Sequence, residues 1–453
     1  MPGQNAIESA VQGVRNSHML RLLAVGLLAL ILQIPISMIG GLIGERQQRR
    51  DSAVAEVTSK WGETQSLVGP ALVVPYTYTW RDNDAKETRT ETRHVVVLPK
   101  RLDVQGKLVT ETRKRGIFSI PVYSGDLQLG GAFEYPDLSS LAGITPGSVT
   151  WQNARLVLGI SDPKAIQNAA SVVWRGAPIA FLPGTDGAFP LQTGIHAPVD
   201  ASGSSEPIAF SVALALQGSV GMYVAPFGET TRVTLAANSP NPSFQGAWLP
   251  KQRRVAPEGF EASWEVPFLG RNFPQAWLAR EMPSDAIAAS HFGVEIVAPV
   301  DHYRMAERSV KYAGLFILLT FATVWLIEVV ARVQVHPIQY LLLGSALCVF
   351  YLLELSLAEH IGLPVAYGIA SLAVIALIAA YSQAILHRRS LALTVAAGVA
   401  GLYGYLYVLL MNEDSALLIG SIGLFAILAS VMYVTRNVDW YAMGARGSEA
   451  GRA

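Results

Sequence analysis

The order of apolar and polar positions divides this chain into blocks. One long apolar run lies near the start, five crowd into the last third, and residues 44–311 between them read as short strands. A helix rises about 1.5 Å per residue, so about 20 apolar residues cross a hydrocarbon core ~30 Å thick. Six runs reach that length: Leu20–Ile43, Tyr312–Ala331, Tyr340–Ala358, Leu363–Leu386, Leu391–Met411 and Ala416–Thr435. The first exceeds the apolar run of a signal peptide. It ends in Gly40-Gly41-Leu42-Ile43-Gly44 without a small-residue cleavage site, so it reads as an uncleaved anchor.

The middle block shows β-branched and alternating runs broken by Gly, Pro, Asn and Asp. Examples are Ala71–Tyr76, Val95–Leu98, Phe210–Gln217, Thr231–Ala237 and Gly293–Val297. Tyr76-Thr77-Tyr78-Thr79-Trp80 alternates aromatic and threonine, as a half-exposed strand does. Helical pattern is sparse, with Pro274–Met282 a weak candidate. The pattern predicts an antiparallel β-sandwich or a twisted multi-sheet domain. The Gly/Ser/Pro-rich stretch Asp200–Pro207 is either a boundary within it or a long loop. Charged, helix-compatible Glu45–Lys60 and Arg304–Lys311 should extend the first two spans beyond the membrane as rigid connections. The fold class predicted is thus a membrane protein with an N-terminal transmembrane helix, a large β-rich periplasmic domain and a C-terminal five-helix transmembrane bundle. Its segments are a cytoplasmic tail (1–19), a first span (20–43), the β-rich domain (44–311), the bundle (312–435) and a second cytoplasmic tail (436–453).

Direction follows from Lys and Arg in the short loops. Arg332 and His336 follow the second span, His387, Arg388 and Arg389 the fourth, and Arg436, Arg446 and Arg452 the sixth. The alternate loops, Glu359-His360 and Asn412–Ser415, carry no Lys or Arg. Both termini are therefore expected in the cytoplasm and the middle domain outside. Arg46, Arg49, Arg50, Arg304, Arg308 and Lys311 cut against this, but long translocated domains obey the rule weakly.

Composition agrees with lipid: 51% of residues are hydrophobic and 15% charged, against about 25% charged in soluble domains. Lys+Arg and Asp+Glu are both 34, so a basic surface for nucleic acid is not indicated. The single cysteine, Cys348, lies in an apolar run, which leaves the middle domain without disulfides, thiolate zinc sites or thiol catalysis.

No catalytic motif supplies a chemistry. The eight histidines form no H-E-x-x-H or other close metal pair, and there is no nucleophile elbow, Walker A sequence or dinucleotide fingerprint. No catalytic residue, cofactor or metal is expected. Arg113-Lys114-Arg115 reads as a solvated strand end or a contact to phosphate or anionic lipid, and Asp301-His302 as surface or catalytic groups. Intramembrane carboxylates weigh more, because a charge at the bilayer centre costs about 2.5–3.5 kcal/mol on insertion scales. Glu328 stands one turn before Arg332, which suggests an interfacial pair. Glu354 lies deeper, and is either protonated or satisfied by polar groups such as Tyr381, Ser382 and Gln383, in a packing role or as a proton or ion relay. Gly398, Gly401 and Gly404, then Gly420 and Gly423, recur every third residue as ridges for close helix approach. Trp440 and Tyr441 fit an interfacial anchor.

Long stretches resemble one family over almost the whole chain. They include Glu307–Glu328, His336–Ser371 and Asn412–Tyr441, with Leu67–Pro70, Arg113–Phe118 and Pro299–Tyr303 in the middle domain. The family is the CreD inner-membrane proteins of Gram-negative bacteria. The resemblance implies a role in envelope integrity, in colicin E2 tolerance and in responses to β-lactam or other envelope stress under a two-component system. It carries no established reaction. Glu328, His336, Pro337, Gln339, Tyr340, Glu359, His360, Glu413, Asp414, Arg436, Asp439, Trp440 and Tyr441 fall on its motifs, whereas Glu354 departs from the apolar residue expected there. The matched polar residues sit at span ends, where they either cap helices and tie loops or form docking sites. The expected function is non-catalytic, with the β-domain engaging a peptidoglycan component, lipid or protein of the envelope. The alternatives are a transporter using intramembrane carboxylates, or an enzyme of cell-wall or lipid substrates working through groups such as His94, Asp301 and His302.

Overall fold

The computed structural model describes residues 18–82, 87–138, 141, 143–145, 147–168, 170–185, 187–203, 206–296, 302–331, 333 and 335–436. By their packing these divide into two units, one within residues 51–299 and one within 1–50 and 300–453.

The first unit is built from two sheets. One runs in the order β13 (Pro242–Gly246), β17 (Phe292–Ile296), β11 (Gly221–Val224), β1 (Gln65–Asp82), β5 (Ala154–Ile160), β9 (Gly194–Val199) and β8 (Leu182–Pro183). In it β2 (Glu87–Val97) pairs with β1 and with β16 (Ala276–Leu278). The other runs β14 (Gln252–Ala256), β15 (Gly259–Pro267), β12 (Thr230–Ala237), β3 (Arg101–Arg115), β4 (Phe118–Phe133), β10 (Ile208–Ser219), β6 (Ser171–Trp174) and β7 (Ala177–Ala180). Most pairs are antiparallel, but β1 runs parallel to β11 and β3 parallel to β12. Both sheets are therefore mixed.

Alternation puts one face of each strand inward. In β10, Ile208, Phe210, Val212, Leu214 and Leu216 are buried, while Ala209, Ser211 and Ala213 are exposed. The inward residues of both sheets join one core, with Leu72, Val95 and Leu156 from the first sheet and Leu102, Leu129 and Leu235 from the second. Asp200–Pro207 joins β9 of one sheet to β10 of the other, so it is a crossing inside one unit. The weak helix expected over Pro274–Met282 is instead β16 and a 3-10 turn, Ala279–Glu281. There Trp277 and Leu278 are buried beside β2, and sheet pairing outweighs local helix preference.

Two features of this unit matter for function. The pairing of β1 with β2 runs from Leu72↔Val97 to Asp82↔Glu87, whereas β5 covers β1 only to Val73 and β16 covers β2 only over Val95–Val97. Residues 148–150 continue the cover of β1 through the Tyr76↔Val149 bridge, so the hairpin is a two-stranded ribbon beyond Thr77. The β3–β4 hairpin closes at Gly116, whose φ of +60° suits a tight turn. Its basic run is held by the end of a preceding helix. Arg115 pairs with Glu56 at 3.0 Å, Arg113 lies 4.3 Å over the Trp61 ring, and the Trp61 indole donates to the Tyr123 carbonyl at 3.2 Å.

The second unit is helical: α1 (His18–Ile31), the start of α2 (Gln33–Trp61), α4 (His302–Ala331), α5 (Pro337–Ile361), α6 (Leu363–Leu386), α7 (Arg389–Met411) and α8 (Ala416–Thr435). The short α3 (Ser284–Ala289) belongs to the β unit. Among the described residues six helices are long and apolar enough to cross a membrane, α1 and α2 counting as one. Pro35 explains the break between α1 and α2, since it cannot donate to the Ile31 carbonyl one turn back. α2 and α4 carry helix through Glu45–Lys60 and Arg304–Lys311. α4 packs against α5 and α7, α5 against α6, and α6 against α7. α8 meets α7 and has no buried residue.

Candidate functional site

The polar side chains of the helical unit gather in three layers. At the end where α4 begins and α5 and α7 finish, Tyr303 donates to the Glu359 carboxylate at 2.9 Å and Arg46 approaches it at 3.9 Å. Arg50 lies 6.0 Å over the Tyr303 ring. Arg304 and Arg308, one turn apart on α4, reach Glu413 at 3.4 and 3.5 Å. Arg308 also donates to the Leu409 carbonyl at 3.0 Å and the Leu410 carbonyl at 3.4 Å, capping the C-terminus of α7. His360 and Asp414 are exposed beside this layer.

The second layer lies inside the bundle. Glu354 is 1% exposed and accepts a hydrogen bond from Ser309 of α4 at 2.7 Å. Its partner is thus on α4, not among Tyr381, Ser382 and Gln383 of α6. Helix α6 instead presents Tyr367 and Ala370 to this core.

The third layer is at the opposite end. Glu328 is buried and accepts from the Tyr340 hydroxyl at 2.9 Å. His336 starts α5. Its Nδ1 accepts from the Ile338 amide at 3.3 Å, and its own amide donates to Gln339 Oε1 at 2.8 Å. That reciprocal cap, with Pro337 in the first helical turn, explains this sequence locally. Arg436 stacks 4.1 Å over the Tyr433 ring. Arg332, Asp439, Trp440 and Tyr441 lie outside the described residues, as does Asp301.

In the β unit, the ribbon carries an aromatic ladder. Tyr78 and Trp80 stack at 5.7 Å, and the Arg93 guanidinium lies 3.8 Å over Tyr78 and 5.9 Å over Trp80 while pairing with Glu91 at 2.8 Å. His94 is half-buried. Burial, and then the nearby Arg155 at 3.4 Å, hold its imidazole below the usual histidine range. Neither contact is a nucleophile–base pair. Among the described residues no three His, Cys, Asp or Glu side chains gather as metal ligands.

Residues 17–441 match the family model for "Inner membrane protein CreD". The chain is also 34% identical over 417 residues to inner membrane protein CreD of Escherichia coli (strain K12), covering 91% of each chain. The chain belongs to the CreD family. It is accordingly an inner-membrane protein, with several apolar helices and a β-rich domain.

The geometry gives the polar residues of this CreD-family chain specific partners. Glu328, His336, Gln339, Glu359 and Glu413 hold helix ends together. Sequence reasoning missed Ser309 and Tyr303, which meet Glu354 and Glu359, and it placed Tyr340 on the family's motifs without its pairing to Glu328. One signal was present for Arg304 and Arg308: their spacing of four puts both on one face of α4.

Proposed function

We propose that this CreD-family chain contributes to envelope integrity under stress, such as colicin E2 or β-lactam exposure, as a non-catalytic membrane protein. On this reading the β-rich domain is periplasmic, both termini are cytoplasmic, and the domain engages a protein, lipid or peptidoglycan component of the envelope. The bare short loops Glu359-His360 and Asn412–Ser415 support the sidedness. Arg46, Arg304 and Arg308, three of the residues that oppose it, act as partners of Glu359 and Glu413.

The observation that carries the binding role is the β1–β2 ribbon. An isolated two-stranded ribbon is marginal in water, yet this one outreaches both its neighbours, with Tyr78, Trp80 and Arg93 stacked half-buried on one face, Tyr78 also against the core, and Thr79, Arg81 and Thr90 exposed. Aromatic faces with a guanidinium suit sugar rings, peptide and anionic groups alike. The test is photo-crosslinking in cells from exposed Thr79, Arg81 and Thr90, with exposed Gln128 of β4 as the comparison position. A defined adduct that recurs from the ribbon and not from Gln128 supports the proposal and names the component. Adducts from Gln128 alone, or none from a functional chain, overturn it.

A further inference from the structure

The layer around Glu354 is not used by the binding role above. Ser309 is 0% exposed and fixes Glu354 Oε2. Glu354 Oε1 is buried and has no hydrogen-bond partner among the described residues, and the same holds for the Tyr403 hydroxyl of α7. Tyr351 of α5, Tyr367 of α6 and Tyr403 all lie within electrostatic reach of the carboxyl. Tyr367 donates to the Tyr403 carbonyl at 2.5 Å. Phe350 seals the group, with its ring 5.0, 5.3 and 4.3 Å from Tyr351, Tyr367 and Tyr403.

Among the described residues no cation pairs with this carboxyl. Among the described residues the groups facing it are Ser309 from α4, Tyr351 from its own helix, Tyr367 from α6 and Tyr403 from α7. Arg308, next to Ser309 along α4, is turned to the Leu409 and Leu410 carbonyls and to Glu413. α1 brings the apolar Val25 and Ala29, and the break after it Leu32, to the same core. A lone carboxylate in such surroundings must take up a proton or gather a metal ion. A dehydrated metal ion needs several oxygen ligands, and here one carboxyl is offered, with hydroxyls of which one is already committed to it. A proton needs a single oxygen.

We propose that Glu354 is a proton-binding site inside the helical bundle, with Ser309 fixing one carboxyl oxygen and the unpaired Tyr403 hydroxyl completing the polar lining. The site stands seven residues before the end of α5 and Ser309 seven after the start of α4. Glu359 is thus five residues from Glu354 and Tyr303 six from Ser309, about 8–9 Å along the helices. The proton exchanges with that end of the bundle, where Glu359 and Glu413 supply carboxylates.

The test is infrared spectroscopy of the full chain in lipid as a function of pH, taken as the difference between the native protein and Glu354→Gln. The expected result is a neutral-carboxyl carbonyl band that persists at neutral pH, vanishes at alkaline pH and is lost in Glu354→Gln. Ser309→Ala keeps Glu354 and removes a donor that favours the ionised form. It should shift both the frequency of the band and its midpoint, the latter to higher pH. A difference spectrum showing Glu354 ionised at neutral pH overturns the proposal. So does a band that disappears at fixed pH when sodium replaces potassium, because the ligand would then be a metal cation.

Discussion

Arg271 shows what a single buried charge does in the β unit. It is 6% exposed, and among the described residues no carboxylate forms an ion pair with it, Glu229 acting only at longer range. Its guanidinium donates to the Phe227 carbonyl at 3.0 Å and to Gln275, which in turn donates to the Leu98 and Pro99 carbonyls at 3.0 and 2.8 Å. The Phe268 and Phe273 rings flank it. Burial pulls its pKa down to about 10, so the charge persists at neutral pH. One side chain therefore ties three turns together. Arg271→Met should cost about 2–4 kcal/mol, since carbonyls lose a charged donor, and should lower the melting temperature of the β unit in the full chain. An unchanged melting temperature would sink this account. His94 provides a pH-dependent counterpart. Its folded pKa lies below the unfolded value near 6.5, so the unfolded chain binds the proton more readily. Stability attributable to His94 is then full above about 6.5 and falls as pH drops through the unfolded and then the folded value. His94→Gln should flatten the acid side of a plot of melting temperature against pH. Little at this scale was legible in the sequence. Glu354 and Ser309 are 45 residues apart, and no local pattern joins them.

At the scale of elements, periodicity carried much more. Long apolar runs became helices and alternating runs became strands, because each buries a face at its own repeat. Strand order was hidden. The parallel pairs β1–β11 and β3–β12 join segments far apart in the chain, and they are set by which faces complete the shared core. The glycine ridges divide in an instructive way. A side chain at Gly423 would collide with the Tyr405 hydroxyl, which donates to the Ile419 and Gly420 carbonyls at 2.8 and 3.2 Å. Nothing lies within 4 Å of a Cβ placed at Gly401 or Gly404. Spacing shows that a small residue recurs but not which neighbour needs the room. Gly423→Leu should cost about 1–3 kcal/mol through overpacking and loosen α8 from α7, whereas Gly401→Leu should be nearly neutral. Disulfide trapping between cysteines placed on α7 and α8 measures the difference. Equal trapping in both variants would remove Tyr405 as the anchor of α8.

For the whole molecule, the sequence made the sidedness argument before any contact was known, and Cys348 makes it testable. That thiol is 5% exposed and sits in the helical core, so it contributes little background to labelling. Single cysteines can then report each surface in turn: Thr90→Cys on the ribbon, Asp414→Cys between α7 and α8, and Arg388→Cys between α6 and α7, all at exposed positions. Arg388 shares its loop with His387 and Arg389, whereas the loop of Asp414 has no Lys or Arg. Basic short loops are retained in the cytoplasm. A membrane-impermeant maleimide added to intact spheroplasts should therefore label the first two cysteines and leave the third until the membrane is opened. Labelling of Arg388→Cys before lysis, with Asp414→Cys protected, would reverse the topology. The β-domain would then face the cytoplasm, its ribbon could not meet a periplasmic component, and the exchange of a proton at Glu354 would open to the cytoplasmic side.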